Sequence, residues 1–199
     1  YKDEVDWYYI SMNQTLSERF IEKYEDRLYW YLTSEYQTFS EPFIEKFQDK
    51  VNWIHISIYQ TLSESLIEKC KDKIDWQCIS ANQKLSEPFI EKFQDKVDWC
   101  FISIYQTLSE TFIEKFQDKV DWHYISQNQK LSEPFIEKWK DKLDCKFLLN
   151  NKNINWTEFS EIFFDKYHQH FDLEDMNKKR PFSKSFCLKY NLDCRWNKQ

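Results

Sequence analysis

The chain has 199 residues, a formal net charge of −6, 41 % hydrophobic residues and an unusual 19 % of aromatics. That apolar content excludes a disordered polymer, and the acidic balance argues against a generic phosphate binder, which needs a basic face. No apolar run approaches the roughly 20 residues of a membrane span, no secretory leader is visible, and the absence of glycine with a single alanine, Ala81, fits AT-rich coding DNA.

Tyr1-Lys2-Asp3-Glu4-Val5-Asp6-Trp7 aligns with Phe47-Gln48-Asp49-Lys50-Val51-Asn52-Trp53. The chain thus opens at the end of a repeat, and at least half a repeat is expected upstream. From there Trp7, Trp30, Trp53, Trp76, Trp99 and Trp122 follow one another at intervals of 23 residues. A fixed period of this size means stacked copies of one small unit. The unit reads Val-Asp-Trp-x-x-Ile-Ser-x-x-Gln-x-Leu-Ser-Glu-x-Phe-Ile-Glu-Lys-Phe-x-Asp-Lys, and residues 97–119 are a clean copy.

Two helices fit each unit. Helix A starts after Asp6, Asn52, Asp75, Asp98 or Asp121, whose short side-chain oxygens can accept a first-turn N–H. Trp99, Ile102, Ser103 and Gln106 fall within about 100° on a helix, so they read as its core side. Helix B starts after Ser17, Ser40, Ser63, Ser86, Ser109 or Ser132, with Pro42, Pro88 and Pro134 in its first turn, where proline is tolerated. Phe89, Ile90, Phe93 and Val97 form its apolar arc, and Glu91, Lys92, Asp95 and Lys96 its solvated back. Each helix is expected to span about 9 or 10 residues, too short to stand alone, so stability has to come from neighbouring repeats.

The pattern decays toward the C-terminus. Cys145 replaces the tryptophan, and Asn150 to Asn155 read as a polar insertion before Trp156. Ser160-Glu161-Ile162-Phe163-Phe164-Asp165-Lys166-Tyr167 resembles another helix B, and Phe182 to Cys187 one more. The expected architecture is all-α: an α-solenoid of about seven 23-residue helix-turn-helix repeats over 1–151, with degenerate repeats over 152–199 forming a cap of more polar outer surface. Cys70, Cys78, Cys100, Cys145, Cys187 and Cys194 follow no framework spacing, so reduced thiols are expected.

Positions that vary between repeats are where a partner can be read. Directly after the tryptophans stand Tyr8, Tyr31, Ile54, Gln77, Cys100 and His123, and four residues later Met12, Glu35, Ile58, Ala81, Ile104 and Gln127. Spacing of four puts each pair on one helix face. These twelve residues are the candidate protein-binding stripe, with Ile54, Ile58 and Ile104 suggesting an apolar patch; drift at exposed sites is the plain alternative. The next residue alternates between asparagine (Asn13, Asn82, Asn128) and tyrosine (Tyr36, Tyr59, Tyr105). That alternation fits a one-unit-per-repeat code, a half-buried site taking a polar tip, or duplication of two-repeat blocks. Gln14, Gln37, Gln60, Gln83, Gln106 and Gln129 are expected to bond the A–B turn or an adjacent repeat.

No catalytic residue, metal site or cofactor is assigned. A chain without glycine has no phosphate loop, no nucleophile signature is present, and His168-x-His170 with Asp172 is too sparse for a metal site.

The tandem Lys-Val-Asp-Trp-x-x-Ile-Ser-x-x-Gln-x-Leu-Ser-Glu-x-Phe-Ile motif resembles the repeat-rich proteins of giant DNA viruses of amoebae over residues 1–149, and the remainder only weakly. The resemblance implies a viral source and a place in the host cytoplasm or the virion rather than secretion. The expected function is a non-enzymatic scaffold for protein–protein interaction, with a structural virion component or a modular nucleic-acid-binding array as alternatives. Nucleic acid is disfavoured, because the positions that continue the stripe, three residues beyond its second row and directly after Cys145, offer only Lys84, Lys130 and Lys146 for phosphates.

Overall fold

The computed structural model describes residues 5–193; the expectations placed on Tyr1–Glu4 and on Cys194 lie outside them. Among the described residues the chain is all-helical, with no strand. It divides into two compact units, 1–102 and 103–199, the dividing point falling within one helix.

In the first unit the A helices are α1 (Trp7–Asn13), α3 (Trp30–Tyr36), α5 (Trp53–Tyr59) and α7 (Trp76–Asn82), and the B helices are α2 (Glu18–Lys23), α4 (Glu41–Lys46), α6 (Glu64–Lys69) and α8 (Glu87–Lys92). Helix α9 (Trp99–Tyr105) holds the dividing point. In the second unit follow α10 (Glu110–Lys115), α11 (Trp122–Asn128), α12 (Glu133–Trp139), α13 (Cys145–Asn150), α14 (Glu161–Tyr167), α15 (Leu173–Lys179) and α16 (Lys184–Tyr190), with single 3-10 turns at Trp156–Glu158 and His168–His170. Within the first unit α3 packs on α1, α5 on α3 and α7 on α5, and within the second α13 packs on α11. Within each unit the arrangement is solenoid-like, with A helices of neighbouring repeats packed on one another.

The expected caps form. Asp6, Asn52 and Asp75 accept the N–H of Tyr9, His55 and Cys78 at 3.0, 3.1 and 2.8 Å. Ser17, Ser40, Ser63 and Ser86 cap their helices through Phe20, Phe43, Leu66 and Phe89. Tyr29 stands at the same point before α3 without a side-chain cap.

Both helix types are shorter than expected, mostly seven residues for A and six for B. Phe93 and Val97, expected on the arc of helix B, lie past its end, yet both are buried. The cause is the turn from B to A. It closes without glycine, through Lys50 N–H and Val51 N–H donating to Phe47 O at 2.9 and 3.0 Å. The capping residue keeps negative φ, −104° at Phe47, so the left-handed cap that favours glycine is not used.

The six tryptophans of the 23-residue ladder are half-buried rather than core residues. The fully buried apolar residue of helix A is the isoleucine three positions on: Ile56 and Ile79 in the first unit, Ile125 in the second. Each indole instead clamps the turn before its helix. Trp30, Trp53, Trp76 and Trp99 Nε1–H donate to the carbonyls of Glu25, Gln48, Lys71 and Gln94 at 2.8 to 3.0 Å. The ring also rests on the following helix B, Trp76 lying 6.4 Å from Phe89 and 5.0 Å from Phe93. An amphipathic ring with one polar tip suits a site between core and water.

The C-terminal segment is aromatic. Trp156, Phe159, Phe163, Phe164, Phe171 and Phe182 are buried together with Met176, with Phe164 5.0 Å from Phe182 and 5.7 Å from Phe171. The more polar outer surface expected there is interrupted by Ile162, 79 % exposed, and Leu188, 73 % exposed. Lys184 and Leu188 stand where the regular helix B has glutamates. Cys187 corrects the expectation of reduced thiols throughout: it is disulfide-bonded, whereas Cys70, Cys78 and Cys145 are thiols.

Candidate functional site

The constant polar residues of the repeat bond one repeat to the next. Gln60 is buried; its amide Nε2–H donates to Ser34 O at 3.2 Å and Gln37 O at 2.6 Å, and its Oε1 accepts Phe39 N–H at 3.0 Å. Gln37 does the same with Ser11 O, Gln14 O and Leu16 N–H, and Gln83 with Ser57 O, Gln60 O and Leu62 N–H. In the second unit Gln129 bonds Ser103 O, Gln106 O and Leu108 N–H. The expected bonding to backbone is thus present, and it crosses repeats.

The helix A serines form a second line of bridges. Ser34 Oγ–H donates to Trp30 O at 2.6 Å while its oxygen accepts Asn52 N–H, 18 residues on, at 2.9 Å. Glutamates form a third: Glu18, Glu41 and Glu64 accept the N–H of Ser40, Ser63 and Ser86, each 22 residues on. The charged back of helix B makes ion pairs between repeats, Glu22–Lys46 at 2.9 Å and Glu45–Lys69 at 2.7 Å.

Beyond α12 the register stretches. Ser160 N–H bonds Glu133 across 27 residues where Ser132 bonds Glu110 across 22. Asn151, read from sequence as part of a polar insertion, takes the glutamine's place. It is buried, and its Nδ2–H donates to Ser126 O and Gln129 O, both at 2.8 Å.

With these residues committed to the stack, the stripe is what remains on helix A. Its first row is exposed throughout: Tyr8, Tyr31, Ile54, Gln77 and Cys100 in the first unit, His123 in the second. Its second row differs. Met12, Glu35, Ile58 and Ala81 in the first unit and Ile104 in the second are half-buried, and Gln127 alone is exposed. Of the three isoleucines taken as an apolar patch, Ile54 is therefore the exposed one, at 51 %.

The first row gathers aromatic neighbours in the first unit. The Tyr8 and Tyr29 rings lie 5.6 Å apart and Tyr29 and Tyr31 6.2 Å apart, both edge-on. Tyr36 and Tyr59, from the alternating position, are also exposed. The asparagines at that position bond back to their own helix, as Asn82 Nδ2–H does to Cys78 O at 2.9 Å. His55 Nδ1 sits 2.8 Å from Tyr31 O and 3.5 Å from the Glu35 carboxylate, with its ring edge-on to Tyr59 at 5.8 Å. Partial burial and then the neighbouring Tyr8 push the Tyr31 phenol above its ordinary pKa. Hydrogen bonding to Glu35 does so for Tyr36. Sequence reasoning missed Tyr29 and His55, which belong to the cap and interior positions of their helices rather than to the stripe.

His168 and Asp172 have structural partners. His168 Nδ1 lies 2.8 Å from Asp165 O, and Asp172 caps α15 through Asp175 N–H at 3.0 Å. A cleft of about 480 Å³ beside the insertion is lined by Asn155, Trp156, Thr157 and Lys179 among others, with no carboxylate, thiol or imidazole. Among the described residues no three His, Cys, Asp or Glu side chains converge to hold a metal ion, and no helix is long and apolar enough to cross a membrane. No protein family, curated protein or solved structure matches the chain.

Proposed function

We propose that the chain is a non-catalytic helical-repeat scaffold that binds a protein partner along the outer row of its A helices. One observation carries this reading. In the first unit the constant Ser and Gln of helix A are spent on bonds between repeats, and the variable Tyr8, Tyr31, Ile54, Gln77 and Cys100 are left exposed in a single register position. Exposed aromatic and aliphatic side chains in one row are the composition of an interface centre rather than of an ordinary surface. The row varies from repeat to repeat where the stack does not, as expected of positions shaped by a partner. The resemblance to giant-virus repeat proteins supports a viral source and a partner of host or viral origin.

The experiment is affinity capture from infected-cell extract, comparing the wild type with Tyr31→Glu plus Ile54→Glu. Ile58 is left alone because it is half-buried. A control variant, Lys69→Glu, changes the helix B face. The reading requires a partner lost from the stripe variant and kept by the control; equal capture by both variants overturns it.

A further inference from the structure

Aromatic side chains of residues 5–102 fall into two populations. On the helix B side, rings carry a cation from the same chain. Lys23 Nζ lies 5.2 Å from the Tyr24 ring centre, Arg27 Cζ 5.6 Å from Trp7, Lys46 Nζ 5.2 Å from Phe47 and Lys96 Nζ 5.8 Å from Trp76. On the outer side of helix A, Tyr8, Tyr31, Tyr36 and Tyr59 are exposed, and among the described residues no Lys or Arg lies over them. Helices α1, α3, α5 and α7 contain neither Lys nor Arg. Their one carboxylate is Glu35, set beside Tyr31, Tyr36 and His55.

Building on the helix A reading, we propose that this tyrosine face of α1, α3 and α5 takes an arginine-bearing segment of the partner protein. Tyrosine rings present a negative face, which attracts a cation set over it. A guanidinium can stack on such a ring and bond a carboxylate with the same planar group, and Glu35 stands among the rings to receive it. Ammonium is more strongly hydrated and cannot stack, so lysine fits less well. The net charge of −6 favours approach of a cationic segment. An acidic segment meets Glu35 with like charge. A purely apolar one buries that carboxylate with only Tyr36 and His55 beside it and offers it no cation.

The test is fluorescence anisotropy of the full chain with a labelled Arg-Gly-Gly repeat peptide, its lysine counterpart and its glutamate counterpart. The arginine peptide is expected to bind, the lysine peptide several-fold more weakly, and the glutamate peptide not at all. Tyr31→Ser with Tyr36→Ser should weaken arginine-peptide binding by about tenfold, in keeping with the loss of two stacked cations. Glu35→Gln should also weaken it, while Tyr31→Phe with Tyr36→Phe keeps most of it. Asp49→Asn, in the turn after α4, removes the same charge as Glu35→Gln and should change nothing; thermal melts establish that each variant is folded. Equal binding of arginine and lysine peptides with equal losses from Glu35→Gln and Asp49→Asn would mean attraction to net charge alone, and overturns the proposal. So does binding of the glutamate peptide, or no binding of the arginine peptide. If that happens while Tyr31→Glu plus Ile54→Glu still loses the captured partner, the helix A reading survives and only the partner chemistry fails.

Discussion

The Gln60 amide nitrogen donates to the Gln37 carbonyl at 2.6 Å, so residues 23 positions apart in the chain meet at the same point of two successive repeats. The same amide holds Ser34 O and Phe39 N–H. Gln60→Ala removes all three bonds and leaves a buried N–H and two carbonyls without that partner. The cost should be about 1–3 kcal/mol, the range for orphaning a buried polar group, read as a lower midpoint in urea unfolding. Gln14→Ala is the comparison: that side chain is exposed, and its loss should move the midpoint little.

Ser34 is fully buried and bridges Trp30 O to Asn52 N–H. Ser34→Ala keeps the packing but strands the Asn52 N–H, and should destabilise by about 1–2 kcal/mol. Amide hydrogen exchange at Asn52 should rise more than at Ile56, deeper in α5. Equal protection in both proteins would remove the serine from the lattice.

The exposed ion pairs should behave differently. Lys69 donates to Glu45 at 2.7 Å, with both side chains largely open to solvent. Salt screens such pairs and side-chain ordering offsets them. Lys69→Met should leave the urea midpoint unchanged within error, and a clear drop would show that the charged back contributes more than its exposure implies.

Hydrogen bonds from Lys189 and Tyr190 hold the Asp165 carboxyl below its ordinary pKa. Because the folded value is depressed, the stabilisation is present above the ordinary aspartate pKa of about 3.9. It is lost as pH falls through the lower, folded value. A carboxyl-carbon NMR titration should place the Asp165 midpoint below that reference. Asp165→Asn should flatten the acid limb of stability while lowering stability at neutral pH.

The thiols should separate by burial. Cys100 is exposed, whereas burial pushes the Cys70, Cys78 and Cys145 thiols up in pKa. A thiol reagent under native conditions should label Cys100 first, since thiolate and access together set the rate. Equal rates, located by peptide mapping, would contradict the described packing.

What could be read from sequence was what is local. Asp6, Asn52 and Ser63 cap residues three positions away, and the period-23 pattern supplies the pairing of helices, so caps, helix type and fold class were legible. The lattice was less so, because Gln60, Ser34 and Glu41 find partners 18 to 26 residues away. Composition shows that such residues recur, not what they hold. Trp53 illustrates the ambiguity of a constant aromatic: repetition suggested core, while the bond from its indole to Gln48 O places it at the rim. Asn151 was hidden by its neighbours, one of several asparagines in a polar run. The exposure of the first row was legible, because positions that vary between repeats are the ones the stack does not use. The exposure expected of Ile58 was misjudged, since that residue is half-buried.

The bonding offsets carry a consequence for how such a chain can change length. A glutamine reaching back 23 residues, a serine reaching 18 and a glutamate reaching 22 all fail together if one residue is inserted between any donor and its acceptor. Joining copies in phase leaves every bond intact. Length is therefore free to vary in integral steps of 23 and strongly opposed at any other step. The stretched register before Ser160 is the departure from this rule, and there the long amide has given way to Asn151. A gene for this protein tolerates unequal crossing-over between its own repeats, but punishes small frame-preserving insertions nearly everywhere else.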